Sequence, residues 1–157
     1  MVWALAVSGN DLYAGGNFTN AGDSSANYVA KWDGSAWSPL GSGVNNQVRA
    51  LAVSGSDLFV GGDFTTANHG EAWRVAKWDG NANTWSALGR GVFSAGSPFV
   101  GALAVSGSNL YVGGGFTYVG DGQTYTLTAN NAAKWEGSTS TWTNLGSGVN
   151  KGVVFAL

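Results

Sequence analysis

The chain has 157 residues, of which 10% are charged and 13% aromatic, with 26 Gly, 8 Trp and a formal net charge of −2. With a pI near 5.0 and no cluster of Lys or Arg, neither nucleic acid nor an anionic membrane is an expected partner. The lack of Cys removes disulfide frameworks, thiolate nucleophiles and zinc ribbons, and no apolar run reaches the length of a membrane span, so no membrane insertion is expected.

In chain order, the first feature is an eighteen-residue stretch, Val2 to Thr19 (VWALAVSGNDLYAGGNFT), which returns at Val48 to Thr65 and at Val100 to Thr117. A fourth copy starts at Val154 as VFAL. The starts give periods of 46, 52 and 54 residues, close to the roughly 50 residues of kelch-type blades. The units are therefore 2–47, 48–99 and 100–153, with 154–157 as the first strand of another.

Each unit opens with VxALAV, a short β-branched and apolar run bounded by Ser-Gly, which reads as a buried strand A. The tetrads from Ser8, Ser54 and Ser106 carry turn chemistry, with Gly free to take positive φ. Strand B follows at Leu12 to Ala14, Leu58 to Val60 and Leu110 to Val112, and each copy runs into a glycine pair. Such pairs suggest a bulge or a close approach of neighbouring chain. Strand C is Val29 to Gly34, Val75 to Gly80 and Ala132 to Gly137, and strand D begins at Trp37, Trp85 and Trp142. Pro39 has no amide to donate, which suits an edge strand. The expectation is an all-β chain of β-propeller blades, three four-stranded antiparallel repeats plus the start of a fourth.

The strand ending in Gly-Gly, the aromatic of strand C and the Trp opening strand D resemble a kelch-type β-propeller. They are similar to central domains of the galactose oxidase type and to repeats of bacterial and fungal surface proteins such as cortical polarity markers. The GGxFT and KWDG segments depart from the common kelch pattern. The family's copper chemistry does not carry over, because this chain has no Cys and a single His, His69.

The copies differ in two places. The B to C connection is nine residues in the first two units and fourteen in the third, and the D to A connection is longest around Arg90 to Phe99. In an up-and-down blade these connections leave from one end, so the variable loops share a face, and binding residues commonly ride on loops held by a rigid scaffold. The non-repeated aromatics Trp73, Phe93, Phe99, Tyr118 and Tyr125 fall in these loops and form the candidate recognition set.

The chemistry elsewhere reads as structural. His69 beside Glu71 is a solvated loop residue, and Asp23, Asp63 and Asp121 lack the spacing of a calcium loop. No metal, cofactor or catalytic constellation is expected. Phe18, Phe64 and Phe116, with Trp37, Trp85 and Trp142, are expected to fill the wedges between blades. The recurring Lys31, Lys77 and Lys134, each two residues before an acid (Asp33, Asp79, Glu136), suggest a repeated surface or inter-blade ion pair. Asn17-Phe18-Thr19 forms a glycosylation sequon but reads as strand structure.

The functional expectation is a non-enzymatic interaction scaffold of a secreted, surface or envelope protein, presenting loops for protein or glycan recognition. The alternatives are a sector of a propeller enzyme whose catalytic residues lie outside this chain, or a purely structural array. Three blades leave two faces uncovered, so further blades or self-association are expected, with two copies giving six blades as the simplest closure.

Overall fold

The computed structural model describes residues 1–120, 127–150 and 152–157. The first unit contains β1 (Val2–Ser8), β2 (Asp11–Gly16), β3 (Asn20–Ala21), β4 (Ser24–Ser25), β5 (Val29–Trp32) and β6 (Trp37–Pro39). The second contains β7 (Val48–Ser54), β8 (Asp57–Gly62), β9 (Thr66–Ala67), β10 (Gly70–Glu71), β11 (Val75–Asp79), β12 (Thr84–Ala87) and β13 (Gly91–Phe93). The third contains β14 (Phe99–Ser106), β15 (Asn109–Gly115), β16 (Tyr118–Gly120), β17 (Leu127–Thr128), β18 (Ala132–Glu136) and β19 (Thr141–Asn144).

Each unit forms a four-stranded antiparallel sheet in sequence order, β1-β2-β5-β6, β7-β8-β11-β12 and β14-β15-β18-β19. The chain is thus all-β and built of propeller blades. Pro39 lies on β6, an edge of its sheet, where its missing donor leaves no ladder bond unmade.

The A to B turn explains its own sequence. Ser8 pairs with Asp11 and Ser54 with Asp57, leaving two-residue loops whose first residue, Gly9 or Gly55, has φ of 59°. Positive φ at the first position alone marks a type II′ turn, which matches the right-handed twist of the strands it joins.

The glycine pairs serve both purposes expected of them. Opposite each pair the register of strand A slips, between Val2 and Ala4, Val48 and Ala50, and Val100 and Ala102. A Cβ on Gly15 would overlap Cγ1 of Val48, and one on Gly61 would overlap Cγ1 of Val100. Glycine at the end of strand B therefore makes the seat for the first residue of the next blade.

Apolar packing lies between blades. One cluster joins Tyr13, Val29 and Leu40 of the first unit to Val48, Leu58 and Phe64 of the second. The other joins Val75 and Leu88 of the second to Val100, Leu110 and Phe116 of the third. Within blades, the Trp of strand C faces the Trp of strand D across the ladder, with ring centroids 5.7 Å apart for Trp32–Trp37, 5.4 Å for Trp78–Trp85 and 5.3 Å for Trp135–Trp142. Trp85 and Trp142 also reach the preceding blade, donating from Nε1 to the carbonyl of Leu40 at 2.8 Å and of Leu88 at 2.9 Å. The wedge-filling expectation therefore holds for Phe64, Phe116, Trp85 and Trp142. Phe18 and Trp37 stand on the outer side of the first blade and stay half-buried.

The lysine expectation needs a correction. Lys31 pairs with Asp11 at 3.0 Å and Lys77 with Asp57 at 3.1 Å, across neighbouring strands of one blade. In the third unit Asn109 replaces that Asp, and Lys134 turns to Glu136 at 2.6 Å. Asp33 and Asp79 instead cap the turn after strand C, where Oδ1 of each accepts the amides of Ser35 and Ala36 or of Asn81 and Ala82.

Candidate recognition site

The loops between B and C fold back as short hairpins rather than irregular coil. β3 pairs with β4 and β9 with β10. The turn of the latter is Asn68-His69, with φ of 48° and 68°, the pair of positive values that a type I′ turn needs. His69 and Glu71 are exposed there.

The D to A segment is less variable than its length suggests. It begins LGSGV at Leu40, LGRGV at Leu88 and LGSGV at Leu145, and all six glycines have positive φ. This repeated turn went unnoticed in the sequence because only the residues after it change. Its second glycine passes so close to the B to C loop that a Cβ on Gly43 or Gly91 would overlap the carbonyl of Asn27 or Trp73. Asn27 Nδ2 donates to the Ser42 carbonyl at 3.0 Å and Asn130 Nδ2 to that of Ser147 at 2.8 Å, so the two connections are tied at the same point in the first and third units.

The variable loops share a face, as the up-and-down connectivity requires. β13 of the D to A segment pairs with β16 of the next B to C loop, setting Phe93 opposite Tyr118. Trp73 packs on Phe93 with centroids 5.6 Å apart. Tyr118 is exposed, whereas Trp73, Phe93 and Phe99 are half-buried. Phe99 opens β14 rather than a loop. Tyr125, like Asp121, lies outside the described residues.

Trp3 and Phe99 flank a charged group that sequence reasoning passed over. Arg49 makes a two-point ion pair with Asp63, Nε to Oδ1 at 2.7 Å and Nη2 to Oδ2 at 2.8 Å, and Gln47 Nε2 also donates to Oδ2. The Arg49 guanidinium lies between two rings, 5.3 Å from the centroid of Trp3 and 4.8 Å from that of Phe99. Phe99 in turn stacks on Phe155 at 5.9 Å. The hydrogen bond to Asp63 raises the Arg49 pKa further above its usual value. Asp63 is thereby committed to a guanidinium rather than open to a cation.

Arg74 faces the same cleft and is held differently. Its Cζ lies 4.9 Å from the Trp73 ring, and its Nε donates to the Pro98 carbonyl at 3.3 Å. Burial pushes its pKa below the usual value, with Asp63 acting in opposition. Arg74 also has φ of 67°, the left-handed conformation that Tyr28 and Asn131 adopt at the same place in the other units. In all three, the amide donates to the carbonyl of the repeated Phe, at 2.9 Å from Tyr28, 2.8 Å from Arg74 and 2.8 Å from Asn131.

Together Asn46, Arg49, Asp63, Arg74, Pro98 and Phe99 line a cleft of 560 Å³. A signal for it existed within the repeated stretches. Arg49 stands where the other units have Trp3 and Gly101, Asp63 where they have Asn17 and Gly115, and Arg74 where they have Tyr28 and Asn131. The copies disagree inside the repeat as well as in its loops.

No known protein family and no curated protein matches this chain. Among solved structures it is similar to the computationally designed Ika8 protein, with a TM-score of 0.50 and 19% identity over 90% of this chain and 35% of that one. The chain therefore spans about a third of the length of that protein. At this identity the likeness speaks for the fold, and what it supports is an arrangement of repeated four-stranded antiparallel sheets in propeller fashion.

Proposed function

We propose that the chain is a non-enzymatic recognition scaffold, a kelch-like propeller segment of a secreted or surface protein, whose loop face binds a protein or glycan ligand. The observation that carries this reading is the gathering of Trp3, Trp73 and Phe99 around Arg49 and Arg74, groups from β1, the second unit and β14 that only the fold brings together. Aromatic faces stack on the apolar faces of sugar rings. Among the described residues the Arg74 fork makes one hydrogen bond, from Nε to backbone, which leaves its Nη donors for a carboxylate. The best match is an acidic glycan, with the ring on Phe99 or Trp73 and its carboxylate on Arg74.

Titration calorimetry with uronate-containing and neutral oligosaccharides tests this. Binding of the acidic series alone is expected, weakened at least roughly ten-fold by Arg74→Gln and by salt. Equal binding to both series, or affinity unchanged in Arg74→Gln, would remove the carboxylate from the reading. No binding to any member would remove the glycan.

A further inference from the structure

The two outer faces of the blade array are the two halves of an interface that the molecule already makes twice. At each internal junction the opening Val of the later blade, Val48 or Val100, is fully buried over the glycine seat of the earlier one, Gly15 or Gly61. The strand D Trp of the later blade, Trp85 or Trp142, donates to the carbonyl of Leu40 or Leu88 on the earlier blade. Those leucines, and the valines four residues on, Val44 and Val92, are buried as well.

At the two ends the equivalent groups are open. Val2, Leu5 and Val7 on β1 are 53%, 62% and 67% exposed, and Leu145 and Val149 of the third unit are 41% and 45% exposed. Trp37 makes no counterpart of the Trp85 and Trp142 bonds among the described residues. The Leu145 carbonyl occupies the place of the acceptors that Leu40 and Leu88 provide.

The glycine seat of the third blade is filled by the chain itself. Val154 lies over Gly113 as Val48 lies over Gly15, and its amide donates to the Gly114 carbonyl at 3.2 Å. Leu157 sits beside Gly113 in the way that Leu51 sits beside Gly15. Residues 153–157 thus hold the position that strand A of a following blade would hold, and cover little else of the face.

We propose that the occupant of both faces is a second copy of this chain, docked head to tail. β1 of one copy packs on the third blade of the other as β7 packs on the first blade. Trp37 Nε1 donates to the Leu145 carbonyl of the other copy, and Val2 takes the seat over Gly113 while residues 153–157 swing away. A heterologous contact of this kind forms a ring when its rotation closes. Two copies supply six blades, inside the usual range of about four to eight, whereas three would supply nine. The proposed ring is therefore a dimer, and residues 153–157 compete with its formation. The interface borders the loop-face cleft, because Phe155 stacks on Phe99 and leaves with residues 153–157, but its tests measure association in the absence of any ligand.

Sedimentation and light scattering over a range of concentrations test the proposal on the 157-residue chain. The expected result is a mass of two copies that dissociates to one on dilution. A single-copy mass at every concentration overturns the proposal, as does a mass that keeps growing past two copies. Leu5→Asp places a charge on a side chain that is exposed in one copy and covered in the ring, so it is expected to keep its circular dichroism spectrum and lose the dimer. A dimer that survives this change overturns the placement of β1. Trp37→Phe keeps the aromatic ring but loses the N–H at both junctions of the dimer, and is expected to weaken dimerisation roughly ten- to hundred-fold. An unchanged dissociation constant in that variant overturns the Leu145 contact. Removal of residues 153–157 is expected to tighten the dimer, and a looser one overturns the shared seat.

Discussion

Lys31, Lys77 and Lys134 hold the same place in three repeats, and the partner of each is decided by one residue on the adjacent strand. Asp11 and Asp57 capture the first two, and Asn109, which carries no charge, leaves the third to Glu136. The acids released from this role are used locally. Asp33 accepts the Ala36 amide and the side chain and amide of Ser35, which lowers its pKa from its usual 3.8 to about 2. A carboxyl held below its unfolded value stabilises the fold fully above that value, and the contribution is lost as pH falls through the folded one. The expected outcome is an Asp33 carboxyl that titrates near pH 2 by NMR, with the turn loosening between about pH 4 and pH 2. Asp33→Asn is expected to flatten the acid limb of the stability curve over that window. A carboxyl titrating at its usual value would show that these hydrogen bonds do not persist in solution.

At the scale of the element, strands A and B form one device, a hairpin whose far end is cut back to glycine so that the next hairpin can sit on it. The device makes unequal predictions for equal substitutions. A Cβ on Gly61 meets Val100, which is fully buried between two blades, while a Cβ on Gly113 meets Val154 of a short terminal segment. Gly61→Ala is expected to destabilise by about 1–3 kcal/mol, as overpacking of a closed core does. Gly113→Ala is expected to cost well under half as much in the single chain, because residues 153–157 can lift away. Urea unfolding of the two variants, measured where the chain is monomeric, checks the difference. Equal costs would mean that the terminal segment is held as firmly as a full blade. The hairpin β9–β10 and the LGSGV turn at Leu40 extend the same logic, since Asn68 Oδ1 accepts the Ser42 amide at 3.1 Å and the Asn68 amide donates to the Gly43 carbonyl at 2.9 Å, tying the first two blades through loops as well as through their sheets.

The whole molecule is a line of blades whose apolar clusters lie in the junctions, so its stability depends on how many junctions are filled. A single copy fills two. A closed ring of two copies would fill six, and the melting temperature is expected to rise with protein concentration, since folding is then linked to association. Calorimetric scans across a hundred-fold range of concentration measure this, and a melting temperature independent of concentration would disconnect stability from ring closure. Leu5→Asp is expected to remove the dependence while leaving the low-concentration melting temperature nearly unchanged.

The repeated eighteen-residue stretch, the tight A to B turns and the four strands of each blade were all legible in the sequence, because they depend on residues a few positions apart. Alternation, Gly in a tight turn and Pro39 at an edge are local facts of backbone geometry. The tertiary structure alone decided which copies of a residue are covered. Leu40 and Leu88 are buried while Leu145 is open, although the three stand at the same place in their units. The cleft was hidden for the same reason: Trp3, Arg49 and Phe99 lie about fifty residues apart, and the stacking of one blade on the next is what sets them face to face. A repeat specifies its own blade through short-range chemistry, whereas a binding face and an open edge come from how neighbouring blades register against one another.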